Sequence, residues 1–193
     1  MLSCFIPAQA THAPCLYSSG HLTYCTSSDL IGNYYSTLSS AAYLWNDSRS
    51  SYYCYNNVSL TEVAYGTGAV TVDFITGNPD STLLGIVYLW FTTPPPLMET
   101  YPISLAAFGN WDIAELHIYP YAIANAISST AGFSSSDLPA CMIKSTVHEF
   151  GHLLGLAHPE SYVSDPSRMR PGLSTSVSPT YYDRYEVHTN WCT

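Results

Sequence analysis

The chain has 193 residues, of which 47% are hydrophobic and only 10% charged, so it has core enough for one globular domain and is not a disordered chain. Fourteen acidic residues against five basic ones give a net charge of −9, which excludes the basic face that nucleic-acid phosphates need and disfavours an anionic membrane surface. No apolar run reaches the roughly 20 residues of a membrane-spanning helix.

Met1-Leu2-Ser3-Cys4-Phe5-Ile6-Pro7 lacks a basic stretch followed by a long apolar core, so the chain reads as a mature domain without its export signal. His21 to Thr26, rich in β-branched and aromatic residues after Gly20, predicts a first strand. Asp29 is placed to cap a helix running to about Asn46, with Leu30, Tyr34, Leu38, Ala41, Ala42 and Trp45 recurring at helical spacing. Tyr52 to Val58 and Ala69 to Ile75 read as strands, the second ended by Gly77-Asn78-Pro79-Asp80. Leu84 to Thr92 is a long apolar strand stopped by Thr93-Pro94-Pro95-Pro96, because proline donates no ladder hydrogen bond. Ile113 to Tyr119 alternates, with Ala114, Leu116 and Ile118 on one face and Glu115, His117 and Tyr119 on the other. A helix is expected from about Ile143 to Leu154. Thr180-Tyr181-Tyr182-Asp183 has the form of a capping box, and a last helix should run from it to about Asn190. Asn46-Asp47-Ser48 and Asn57-Val58-Ser59 match the glycosylation acceptor pattern.

Six cysteines occur: Cys4, Cys15, Cys25, Cys54, Cys141 and Cys192. None form a C-x-x-C pair. An even count in a Lys-poor, Tyr/Ser/Thr-rich chain predicts three disulfides and a secreted, extracellular protein. Cys15–Cys25 would be a local clamp, and Cys141–Cys192 would staple the two ends of the C-terminal half. The sequence does not choose the connectivity.

The passage that carries chemistry is His148-Glu149-Phe150-Gly151-His152-Leu153-Leu154-Gly155-Leu156-Ala157-His158. His148 and His152 stand at i and i+4, so on a helix both rings face one ion. Glu149 sits beside the metal without being a ligand, where a general base belongs. Gly155 can take left-handed backbone angles, end the helix and bring His158 back as third ligand. Three protein ligands leave the fourth tetrahedral position open, which is the catalytic kind of zinc site. The pattern predicts one Zn²⁺ and hydrolysis by activated water, with Glu149 passing the proton to the leaving group. A zinc-stabilised binding module would want a fourth protein ligand instead of an open position, and a hydrolase of non-peptide amides would leave peptides uncut.

These residues resemble the signature of the metzincin metallopeptidases. Ser167-Arg168-Met169-Arg170-Pro171 supplies the methionine that this family places in a tight turn beneath the metal, eleven residues after His158. The chain is most similar to the matrixins. Gly20 to Tyr24 resembles their first strand, Ala41 to Asn46 the end of their first helix, and Thr180, Asp183, Val187 and Trp191 their final helix. The resemblance implies an α+β fold with a twisted, mostly parallel sheet, an antiparallel edge strand, a zinc helix, a Met-turn and a C-terminal helix. It implies one catalytic domain over 1–193, with an N-terminal subdomain over about 1–155 and a C-terminal one over about 156–193. It implies a secreted, monomeric zinc endopeptidase acting on extended polypeptides, with Asp183 bracing the Met169 turn. Substrate would pair with an edge strand, for which Gly85 to Phe91 (Gly85, Ile86, Val87 and Tyr88 foremost) is the candidate and Ile103 to Phe108 the rival. His158 and the chain around Met169 to Tyr182 would wall the pocket after the scissile bond. Arg168 and Arg170 either contact an acidic substrate side chain or pair with Asp165 and Asp183. The chain departs from the matrixins at Pro159 and Arg170, and it shows neither their second histidine–aspartate zinc set nor a clear Ca²⁺ loop.

Overall fold

The computed structural model describes residues 20–26, 33–48, 58–76, 83–91, 97–100 and 111–191. In chain order they form β1 (His21–Thr26), α1 (Asn33–Ser48), β2 (Ser59–Glu62), β3 (Val70–Phe74), β4 (Gly85–Phe91), β5 (Leu97–Thr100), β6 (Ile113–Ile118), α2 (Pro120–Ser129), α3 (Leu138–Leu153) and α4 (Tyr181–Trp191). The strands make one mixed sheet in the order β2-β1-β3-β6-β4-β5. The first four are mutually parallel, while β4 runs antiparallel to β6 and β5 antiparallel to β4.

Period-2 alternation decides which face of the sheet is covered. Val70–Ala114–Leu89 and Val72–Leu116–Val87 stand in register across β3, β6 and β4, and all six are fully buried. Each large aliphatic side chain so buried contributes about 1.5–3 kcal/mol. α1 and α3 pack together to form the helical part of the core. Trp45 Nε1–H of α1 donates to the Val147 carbonyl of α3 at 2.9 Å. Tyr24 of β1 meets Phe150 of α3 with ring centroids 5.5 Å apart. No helix among the described residues is long and apolar enough to cross a membrane.

β1, β3, β4, β6 and α4 fall where the sequence predicts them. The described part of α1 runs two residues beyond Asn46, and Asp29 lies outside the described residues. Of the strand expected over Tyr52 to Val58, only Val58 is described, and pairing begins one residue later, at Ser59 of β2.

Three elements differ from expectation. α2 is a helix that the sequence reading passed over, with Pro120 in its first turn, where a missing N–H costs nothing. α3 begins at Leu138, five residues before the predicted start. A 3-10 turn over Ser135–Asp137 leads into it, with a reciprocal Ser134/Asp137 capping box. The expected single antiparallel edge strand is a pair: after the proline run, Leu97–Thr100 returns and pairs with Tyr88–Phe91.

One further expectation is corrected. Cys25 and Cys141 are buried free thiols, so neither forms the bridge expected of it. Cys25 lies in β1 with Sγ 3.9 Å from Thr71 Oγ1, behaving as a small core side chain. The other four cysteines lie outside the described residues. Asn46, in one of the two acceptor patterns, is half-buried and hydrogen-bonded. Its Nδ2 donates to the Leu60 carbonyl at 2.8 Å and its Oδ1 accepts from Leu60 N–H at 2.9 Å, tying α1 to β2. Asn57 lies outside the described residues.

Candidate metal centre

α3 is buried along nearly its whole length from Cys141 to Leu153, polar residues included. Its last two turns carry His148, Glu149 and His152. The chain then reverses at Gly155, which adopts φ +85 as the sequence predicts for a left-handed turn residue. Asn190 Nδ2 and Trp191 Nε1 of α4 donate to the Gly155 and Leu154 carbonyls at 3.1 and 3.0 Å and hold the reversal. The turn brings His158 against the helix. One nitrogen from each of His148, His152 and His158 lies within 4.8 Å of the other two, the one such cluster of three among the described residues.

The other ring nitrogens set the tautomers. His148 Nδ1–H donates to the Arg168 carbonyl and His152 Nδ1–H to the Leu156 carbonyl, each at 2.8 Å. A carbonyl only accepts, so each Nε2 keeps its lone pair for the cluster. His148 Nε2 and His158 Nε2 are 3.0 Å apart, close to the roughly 3.3 Å that two nitrogens about 2.05 Å from one tetrahedral ion would show. Burial, reinforced by the neighbouring rings and Lys144, holds His148 well below its ordinary pKa. Burial takes His152 down to about 3 and also lowers His158. Three neutral imidazoles, two of them with their lone pairs fixed through Nδ1, fit a borderline-soft divalent cation such as zinc.

This has a consequence for acid. In the metal-free protein the three histidines bind fewer protons folded than unfolded below pH about 6.5. Glu149, raised by burial to about 8, binds more when folded between about 4.5 and 8. Up to three histidine protons oppose one glutamate proton, so stability falls on acidification below about 6.5. Melting temperatures of the metal-free chain between pH 7 and 4 check this, and a flat profile would contradict it.

Glu149 lines a cleft of about 200 Å³. One wall is the chain from Leu83 to Ile86 at the start of β4, and the other is α3, with His158, Pro171 and Gly172 closing it. Gly85 stands in register with Ile118, on the face of β4 toward α3. A Cβ at Gly85 would come within 2.8 Å of Glu149 Oε1, so the missing side chain makes room for the carboxylate.

Met169, 1% exposed, lies against Gly151 between the two helical histidines. It is brought there by Asp183, itself fully buried. Ser167 Oγ–H donates to Asp183 Oδ1 at 2.6 Å. Arg168 N–H, Thr180 N–H and Thr180 Oγ1–H donate to Oδ2 at 2.9, 2.8 and 2.9 Å. Asp183 N–H donates to Thr180 Oγ1 at 3.2 Å and completes the predicted capping box. The Ser167 hydroxyl oxygen accepts from Met169 N–H at 2.9 Å.

Gly151, between the two helical ligands, was not singled out in the sequence. A Cβ there would collide with Met169 Sδ and lie 3.0 Å from Met169 Cε and 3.2 Å from Trp45 Cζ2. A glycine inside an otherwise good helical pattern is the signal that could have found it, because it costs about 1 kcal/mol against alanine unless packing requires it. Gly151→Ala should lower stability by about 1–3 kcal/mol through overpacking, read by thermal melting. A neutral result would mean that Met169 swings clear.

The structure divides the residues expected at the edge strand. Tyr88 pairs with Thr100 of β5, so it is not open to substrate, whereas Gly85, Ile86 and Val87 have no outer partner strand among the described residues. Gly85 and Ile86 line the cleft together with the three histidines. Ile103 to Phe108 lies outside the described residues.

Among the described residues, neither arginine beside Met169 has its side chain on a carboxylate. Arg168 Nε–H donates to the Ser178 carbonyl at 3.0 Å, and Arg170 Nη2 donates to the Val163 and Asp165 carbonyls. His21 and His117 lie apart from the cluster, on Ser59 and beside Glu115 respectively. The cation of the cleft is Lys144, which the sequence reading did not single out. It lies four residues before His148 on the same helix face, and that spacing was its signal.

A mixed six-stranded sheet and a buried helix that carries two histidines of a three-histidine centre are the class that these observations define. Among solved structures the chain is similar to one described as "GM1 bound form of the ECX AB5 holotoxin". The TM-score is 0.54 at 17% identity, covering 94% of this chain and 86% of that one. It is also similar to myroilysin, with a TM-score of 0.51 at 12% identity, covering 95% of this chain and 98% of that one. At such identities the likeness is one of fold. The chain matches no family model, and no curated protein matches it in sequence.

Proposed function

We propose that the protein is a secreted, monomeric zinc endopeptidase of the metzincin type, matrixin-like, with His148, His152 and His158 as ligands and Glu149 as general base and acid. The observation that carries this is the convergence of three neutral imidazoles, two of them fixed through Nδ1, on a cleft that also holds a buried carboxylate. The likeness to myroilysin fits a metzincin-like fold. Localisation rests on composition.

A zinc ion held by the three rings would lower the pKa of water at the open position and polarise a peptide carbonyl. The chain's own residues do the rest. Glu149 takes the proton of the attacking water and delivers it to the leaving amine. Gly85 to Val87, which have no outer partner strand among the described residues, would offer their backbone groups to an extended peptide and lay the scissile carbonyl across the histidines. Met169 floors the site, and Asp183 keeps the Met169 turn in place.

The test is cleavage profiling on a proteome-derived peptide mixture, with chelator and after zinc is restored. Cleavage lost to the chelator and recovered with zinc supports the reading. No cleavage by protein that holds zinc would overturn it and favour a binding module or a hydrolase of other amides.

A further inference from the structure

Lys144 is the sole lysine of the chain and is 4% exposed. Its Nζ donates to the Arg170 carbonyl at 2.8 Å and the Gly172 carbonyl at 2.9 Å. An ammonium has three donors, so one remains. No carboxylate among the described residues forms an ion pair with it. A buried cation without a counter-ion is expensive, and carbonyl dipoles offset only part of the cost. Burial accordingly pushes Lys144 down to about 8, against the through-space pull of Glu149. The residue is not sealed in the core: it lines the cleft beside Ser145, Pro171 and Gly172. The other cations near the cleft, Arg168 and Arg170, are tied to carbonyls of the surrounding loop.

We propose that Lys144 is a specificity-determining residue, which selects peptides carrying an Asp or Glu side chain beside the scissile bond by pairing its ammonium with that carboxylate. The cleft then supplies the counter-ion site that the folded chain leaves open, and the substrate supplies the counter-ion. The word "scissile" rests on the endopeptidase reading; the carboxylate site does not. A lysine serving only to pin the 170–172 segment to α3 would give no such selection.

The experiment uses C-terminally amidated peptide pairs that differ only by Glu or Gln at one position, scanned along the peptide. They are added to the zinc-loaded full chain. Affinity is read by fluorescence anisotropy before appreciable turnover, and cleavage by product formation. At one position the Glu member should be favoured by about tenfold or more, the scale of one desolvated charge pair. Lys144→Met should bring the ratio to within about twofold, and Lys144→Arg should keep part of the preference. A wild-type ratio near one at every position overturns the proposal without recourse to any variant. A preference that survives in Lys144→Met overturns it too. Selective binding without cleavage removes the endopeptidase reading and leaves the carboxylate site standing. Cleavage without selection does the reverse.

Discussion

Glu149→Gln lowers kcat/KM by about 10²–10⁴-fold, the contribution of a positioned acid–base group, while zinc content and melting temperature stay near those of the wild type. The separation follows from where the side chain sits. Glu149 is not one of the clustered ligand residues, so the amide leaves the histidines and their carbonyl partners intact. Gln keeps the volume and fills the space that Gly85 leaves. In the metal-free chain burial holds the carboxyl near pKa 8, protonated at neutral pH, so a neutral amide costs the fold little. Lys144 pulls that pKa down, and a divalent cation held by the triad would reinforce it, toward the carboxylate a base requires. Steady-state kinetics, zinc analysis and melting on the same preparation check all three parts. Loss of zinc with loss of activity would make Glu149 part of the metal site instead.

Asp183→Ala should cost about 3–5 kcal/mol, because Ser167 Oγ–H, Arg168 N–H and Thr180 N–H around a fully buried carboxylate lose their acceptor at once, while the Thr180 hydroxyl keeps the Pro166 carbonyl. For a chain of this size that is roughly a 10 °C drop in melting temperature. The effect should not stop at stability. Asp183 holds Ser167 and Arg168, the Arg168 carbonyl orients His148, and the Ser167 hydroxyl holds Met169 N–H. Weakened support of a ligand typically costs about 10–100-fold in metal affinity. Competition with a chelator of known affinity measures this. Unchanged zinc affinity in a destabilised Asp183→Ala would confine the residue to the fold and detach it from the metal centre.

What the sequence revealed was local in origin. β6 was readable because Ala114, Leu116 and Ile118 alternate with polar residues, and all three are fully buried. The start of α4 was readable because its capping box is written in four consecutive residues. The centre was readable because i, i+4 and a glycine turn fix geometry with little help from the rest of the chain.

The residues that escaped depend on partners far away in sequence. Gly151 has meaning only against Met169 and Trp45, and Lys144 only against the carbonyls of Arg170 and Gly172; Gly85 was expected at the edge strand, but the room it leaves for Glu149 was not. β5 escaped because a proline run reads as a stop, whereas pairing resumes directly after it. α2 escaped because its alanine- and isoleucine-rich run directly continues a strand, with Pro120 as the sole mark of a helix start. The disulfides expected at Cys25 and Cys141 came from counting residues, whereas both thiols are free and buried.

The central claim is an open centre of three histidines. Zinc-edge X-ray absorption on the zinc-loaded wild type tests it most directly. The account predicts one zinc per chain with three nitrogen ligands and one exchangeable oxygen at about 2.0–2.1 Å. A fourth protein ligand, a sulfur at about 2.3 Å, or a chain that binds no zinc would contradict it.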